Sequence, residues 1–199
     1  KSTDAMLKRL LSASAARVIV NSEAVARHMP SSERLRVVHN GIEVQEYDLG
    51  IDGVVFRTQY DIPPGMPLIG MVGRLRPWKG QSCFLQIAAA VKAKCPSTHF
   101  VIVGGTPFGD PEGYTAELIQ LDHRLGVSEN VTFTGHLGDV RPALAAMDVY
   151  VHPGDPEPFG LVNIEAMAMQ KPVVAFAHGA LPEIVDSGVT GVLVPPGDV

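Results

Sequence analysis

Two carboxylates, Glu157 and Glu165, bracket the segment EPFGLVNIE with seven mostly apolar residues between them. Pro158 and Gly160 punctuate a strand-to-helix turn, which predicts Glu157 in the loop after a strand Val149–His152 and Glu165 one to two turns into a helix Leu161–Met169. An open α/β sheet keeps its ligand at that end of its strands, so both acids are expected to face one crevice. The helix start offers unpaired backbone N–H groups at Gly160, Leu161 and Val162, which together with the aligned peptide dipoles suit an anion such as a diphosphate. The pattern reads as a sugar-nucleotide site. Two plainer readings stand beside it: the dipole alone favours a Glu near a helix N-terminus, and a Glu before proline is often a solvated loop residue.

A second segment, Gly73-Arg74-Leu75-Arg76-Pro77-Trp78-Lys79-Gly80, follows a strand Leu68–Val72 and leads into a helix Gln81–Lys94. A departing diphosphate develops negative charge in the transition state, and fixed cations aimed at it stabilise that state more than the ground state. Arg74 offers a planar fork and Lys79 a mobile point charge, so the pair covers phosphate oxygens without a metal or any cofactor. Lys79 is expected in the first turn of the helix, where a cation opposes the dipole and a purely structural role is less comfortable. Arg76 is the weaker candidate.

These residues need elements to hold them. Short β-branched runs at Leu68–Val72, Phe100–Val103, Val131–Phe133, Val149–His152, Val173–Phe176 and Gly191–Val194 read as strands. Helical spacing appears at Gln81–Lys94, Thr115–Leu125, Val140–Met147 and Leu161–Met169, with a short helix at Leu181–Asp186. Strands alternating with helices specify a doubly wound parallel sheet, Rossmann-like in class, because each parallel crossover needs a helix to cover a face. Each candidate ligand residue then falls just after a strand. There is no G-x-G-x-x-G, which counts against a nicotinamide dinucleotide. The first forty residues predict a helix Ala5–Ser12, a strand Arg17–Asn21 and a helix Glu23–Met29 before a turn Val38–Gly41. Glu183 is expected to cap or pair locally, and His152 at its strand end either to hydrogen-bond the donor or, as a lone His more often does, to be structural.

GRLRPWKG, EPFGLVNIE, Val38-His39-Asn40-Gly41-Ile42 and His178-Gly179-Ala180-Leu181-Pro182-Glu183-Ile184-Val185 together resemble the donor-binding half of a retaining glycosyltransferase of family 4, with GT-B architecture. The likeness runs from about Arg17 to the C-terminus. It implies that Arg74 and Lys79 hold the donor diphosphate, that Glu157 lies against the sugar hydroxyls, and that Glu165 hydrogen-bonds the ribose. Phe159, Gly160, Leu161 and Val162 then bring main-chain amides onto sugar and phosphate, Gly73 joins the donor contacts, and His136, in Thr134-Gly135-His136-Leu137, lies beside the base. Glu157, Arg74 and Lys79 are the implied catalytic residues. The resemblance makes residues 1–40 the tail of an acceptor-binding domain with its hinge and residues 41–199 the donor domain, with sequence missing at both ends. It implies front-face substitution, with the diphosphate helping to deprotonate the acceptor, and leaves a covalent role for Glu157 open. Donor binding without turnover is the expectation for this chain. The acceptor, a glycan, lipid or small molecule, would meet the missing N-terminal domain. A sugar-nucleotide epimerase, a phosphorylase-like protein and a non-catalytic nucleotide-binding module stay open as alternatives.

Composition sets the bounds. With 46% hydrophobic residues in 199, the chain can bury a core, and a net charge of −5 gives no basic footprint for nucleic acid. No apolar run is long enough to cross a bilayer, peripheral membrane association is left to the longer enzyme, and two cysteines read as reduced thiols point to a cytoplasmic compartment. The two cysteines, Cys83 and Cys95, fall near opposite ends of one predicted helix, about 18 Å apart at 1.5 Å per residue, too far for a disulfide. Both are expected to be buried thiols.

Overall fold

The strands form where the β-branched runs predict them, and the sheet they build is parallel throughout. A computed structural model describes residues 2–107, 109–110 and 113–199. Its main sheet joins β3 (Leu68–Val72), β4 (His99–Val103), β5 (Val131–Phe133), β6 (Val149–His152), β7 (Val173–Phe176) and β8 (Gly191–Val194) in the order β5-β4-β3-β6-β7-β8. From β3 the chain winds outward to β5, then returns to the other side of β3 and winds outward again to β8. The point of reversal lies between β3 and β6.

Side chains alternate across the strands and divide the core in two. Leu68, Val101, Val103, Tyr150, Val173 and Ala175 face α3 (Gly53–Gln59), α6 (Arg141–Ala146) and α7 (Leu161–Ala168). Met71, Phe100, Ile102, Val131 and Val151 face α4 (Gln81–Lys94) and α5 (Tyr114–Leu125). Near β6 to β8 the second face leaves an apolar hollow of about 330 Å³, lined by Val149, Val151, Val174, Phe176 and Val194 and edged by Val199.

The N-terminal region departs most from the pattern. Its helix α1 runs Ser2–Ser14, longer than Ala5–Ser12, and β1 (Val18–Val20) pairs in parallel with β2 (Leu35–Val37) as a separate two-stranded sheet. The three residues Leu35-Arg36-Val37 are too short a run to announce β2. Helix α3 is also unannounced, since Gly53-Val54-Val55 are poor helix formers. Asp52 caps it through Oδ1, which accepts from the Val54 N–H at 2.7 Å, and Phe56 packs into the core beside α6. The helix α2 (Glu23–Ala26) is shorter than predicted, as is α8 (Leu181–Ile184). The cysteine expectation holds only in part: Cys83 is partly buried, but Cys95 lies exposed at the C-terminal cap of α4.

Candidate functional site

The two motifs singled out in the sequence leave the two strands that flank the reversal point, which is where a doubly wound sheet opens a crevice. Their loops touch. The Asp155 N–H donates to the Trp78 carbonyl at 2.8 Å. Gly80 takes φ +82°, and a Cβ there would lie 2.2 Å from the Pro153 carbonyl oxygen, so a residue without a side chain is what allows this approach. The approach sets Lys79 against Glu157: Nζ donates to Oε2 at 2.7 Å, with the two side chains only 17% and 12% exposed. Lys79 does not sit in the first turn of α4, as expected, but closes a 3₁₀ turn, Pro77–Lys79, with Gly80 as the helix cap. The carboxylate, not the dipole, is its dominant partner.

Glu157 is fixed from the far side as well. The Ala180 N–H donates to its carbonyl at 3.0 Å, and Gly179, at φ +58°, passes so close that a Cβ would fall 2.6 Å from the Glu157 nitrogen. His152, at the end of β6, brings Nε2 to 3.7 Å from the same Oε2, beyond hydrogen-bond range. That nitrogen is buried and has no hydrogen-bond partner. Burial pushes the His152 pKa down to about 4; the Glu157 charge opposes this, while Lys79 and His178 add to it, so the ring is neutral at pH 7.

Lys79, His152, Glu157 and Gly160 to Asn163 line a cleft of about 270 Å³. Among the described residues, the N–H groups of Gly160, Leu161 and Val162 donate to no protein acceptor, as predicted for the start of α7. Asn163 is fully buried at its base and donates through Nδ2 to the Gly160 carbonyl at 2.9 Å. Phe159 lines the cleft but is itself buried, with its ring 5.8 Å from that of His39. Asn21 and Asn40 also line the cleft. Asn40 lies in the VHNGI segment; nothing in the sequence singles out Asn21.

Glu165, five positions into α7, lines a depression with Glu46, Tyr47, Gly138, Asp139, Val140 and Arg141, whereas Glu157 lines the cleft with Lys79. Burial raises the Glu165 pKa, and the neighbouring Tyr47 hydroxyl partly offsets the rise. The Tyr47 hydroxyl is in turn pushed up to about 12, by burial first and then by the Glu165 charge. Tyr150 is buried between the acids: its pKa is raised by burial first, then by the charges of Glu157 and Glu165. Tyr47→Phe removes the hydroxyl that favours the ionised carboxylate, so it is expected to raise the Glu165 pKa further, as read by a carboxyl-carbon NMR titration.

Of the remaining candidates, Arg74 is exposed at the end of β3, with its carbonyl accepting from the buried Gln81 Nε2 at 2.9 Å. The Gly73 N–H is committed to the Val103 carbonyl at 2.9 Å, and Gly104 packs against the Gly73 carbonyl so closely that a Cβ there would fall 2.0 Å from its oxygen. Arg76 reaches the Gly109 carbonyl at 3.2 Å. His136 is exposed after β5, two strands from β3 on the same end of the sheet.

Glu183 is not a local cap. It accepts from the Glu23 and Ala24 N–H groups at 2.8 and 2.7 Å and lies 3.2 Å from His39 Nε2, so it caps α2 across the chain. Ser22 Oγ adds a bond to the Pro158 carbonyl at 2.6 Å. These contacts dock the N-terminal segment on the Glu157 loop. Partial burial alone would raise the Glu183 pKa, but the two N–H groups and His39 outweigh it and hold it below the usual range. A depressed carboxylate contributes stability above its unfolded pKa of about 4.3 and loses it as pH falls through the lower folded value. Glu183→Ala is therefore expected to cost about 1–2 kcal/mol at pH 7 and progressively less in acid, measured by denaturant unfolding across pH.

Residues 66–199 match the family model described as Glycosyl transferases group 1. The chain belongs to that family. It is 36% identical over 190 residues to the D-inositol 3-phosphate glycosyltransferase of Mycobacterium sp. (strain KMS), covering 92% of this chain and 42% of that protein. To the enzyme of the same name from Mycolicibacterium gilvum (strain PYR-GCK) it is 37% identical over 188 residues, covering 89% and 40%. The chain thus spans about two-fifths of the length of the curated relatives it matches. Among solved structures it superposes on Anabaena Alr3699/HepE in complex with UDP and glucose with a TM-score of 0.86 at 34% identity, covering 100% of this chain and 54% of that one. Sucrose-phosphate synthase (tll1590) from Thermosynechococcus elongatus gives 0.84 at 30%, covering 100% and 50%. The group 1 glycosyltransferase domain described here is thus a Rossmann-like half of a GT-B fold, as its motifs imply. Among its described residues no helix is long and apolar enough to cross a membrane.

Proposed function

We propose that this group 1 domain binds the donor of a retaining, metal-independent hexosyl transfer from a nucleoside diphosphate sugar to an acceptor hydroxyl. The observation that carries the reading is the Lys79–Glu157 pair on the two loops at the sheet's reversal point, facing unpaired N–H groups at the start of α7. One end of that arrangement suits phosphate and the other suits sugar hydroxyls. In this reading Lys79 and Arg74 stabilise the leaving diphosphate, Gly160 to Val162 hold phosphate through the main chain, Glu157 orients the sugar, and Glu165 takes the ribose. Gly73 and His136 border the nucleotide, and Phe159 braces the loop.

A structure of Alr3699/HepE holds UDP and glucose at 34% identity, which favours a uridine nucleotide as the first donor to try. Residues 1–40 are read as the acceptor-domain tail and hinge, residues 41–199 as the donor domain. Retaining transfer needs the acceptor hydroxyl placed beside the departing diphosphate, and that placement falls to residues outside these 199. The purified chain is accordingly expected to bind donor and transfer no sugar. Transfer to an added acceptor at rates well above donor hydrolysis would contradict the division of labour.

A further inference from the structure

His152 carries an unexplained feature: a neutral imidazole whose Nε2 is buried, lacks a partner, and faces a carboxylate already claimed by Lys79. We infer that His152 is the second partner of Glu157: when a diphosphate takes Lys79, the Glu157 carboxylate closes onto the His152 Nε2–H and stays fixed beside the sugar. This rests on the donor-site reading above.

Lys79 cannot serve both anions at full strength. A cation that leaves Glu157 for phosphate leaves a carboxylate with little exposure and no counter-charge, and stripping one partner from such a pair is costly. A neutral imidazole still carries one N–H donor, and a hydrogen bond to a charged acceptor is worth more than one between neutral groups. The motion required is small, from 3.7 Å to about 2.8 Å. Only side-chain torsions are needed, because the Glu157 backbone is held by Ala180 and hemmed by Gly179. The His152 backbone is held opposite Ala175 in the ladder between β6 and β7, and its buried ring has little room to retreat. A ligand hydroxyl does not reach Nε2 directly, because that atom is already covered. His152 is therefore a positioning residue. The exchange also couples the two ends of the donor: sugar hydroxyls that engage Glu157 help to release Lys79 to the phosphates, and the reverse holds equally.

The test is nitrogen-15 NMR of the histidine rings in the 199-residue chain, with UDP, GDP and ADP as probes and each matching nucleoside as control. A diphosphate that binds is expected to move the His152 Nε2–H resonance downfield, and its nucleoside to leave it in place. Lys79→Met should produce the same downfield shift with no ligand. His152→Phe should weaken the diphosphate about tenfold, with recovery in His152→Gln, which keeps an N–H donor. A His152 resonance unmoved in Lys79→Met, or unmoved by a diphosphate that calorimetry shows to bind, overturns the exchange. Failure of all three diphosphates to bind would sink the donor-site reading instead, and the Lys79→Met spectrum would still decide the exchange without any ligand or any His152 variant.

Discussion

Lys79→Ala is expected to weaken nucleoside diphosphate binding by about tenfold to a hundredfold and to leave nucleoside binding unchanged. A hydrogen bond to a charged group is worth about 1.5–3 kcal/mol, and each 1.4 kcal/mol is a factor of ten. Lys79 already spends its charge on Glu157 at 2.7 Å, so part of the phosphate interaction replaces an existing one and the loss should fall toward the lower end. Arg74, exposed just beyond β3, is the second cation assigned to the diphosphate, and Arg74→Ala should cost a similar factor. Glu165→Ala should behave differently, weakening nucleoside and diphosphate alike, because its assigned partners are ribose hydroxyls. Calorimetric titration of the three variants with diphosphate and nucleoside separates these outcomes. A nucleoside affinity that falls in Lys79→Ala would remove the phosphate assignment.

Gly80→Ala should be among the most damaging single methyls in the site. Two penalties add at that position: a positive φ of +82°, which L side chains resist, and a Cβ that would meet the Pro153 carbonyl oxygen at 2.2 Å. The second neighbour is backbone, so it cannot swing aside as a flexible side chain would. We expect a loss of about 2–4 kcal/mol in denaturant unfolding. The loops that carry Lys79 and Glu157 must part for the methyl to fit, so diphosphate affinity should fall even in the fraction that folds. Wild-type stability together with wild-type affinity in Gly80→Ala would show that the loop contact is not what sets the pair.

The sequence announced the main sheet well because buried parallel strands are written as β-branched runs bounded by turn residues, and six of them stand out in this chain. It announced the reversal-point motifs for the same reason: Gly, Pro and charged residues directly after a strand have few structural duties. What it did not disclose were relations between distant segments. Glu183 looks like a local helix residue until the fold brings the start of α2 against it, 160 residues away in sequence. Asn21 has no local mark at all, yet lines the cleft. The two acids look equivalent at seven intervening residues, but Tyr47, arriving from the linker, claims one, and Lys79 claims the other. Helix α3 was hidden because Gly53 and two valines speak against a helix, and only packing on α6 overrides them.

The most direct test is calorimetric titration of the 199-residue chain with UDP, GDP, ADP and their nucleosides, repeated in Lys79→Ala. The donor-site account predicts that at least one diphosphate binds well above its nucleoside and that the excess shrinks by tenfold or more in the variant. Equal binding of diphosphate and nucleoside, or an excess that survives loss of Lys79, would contradict it.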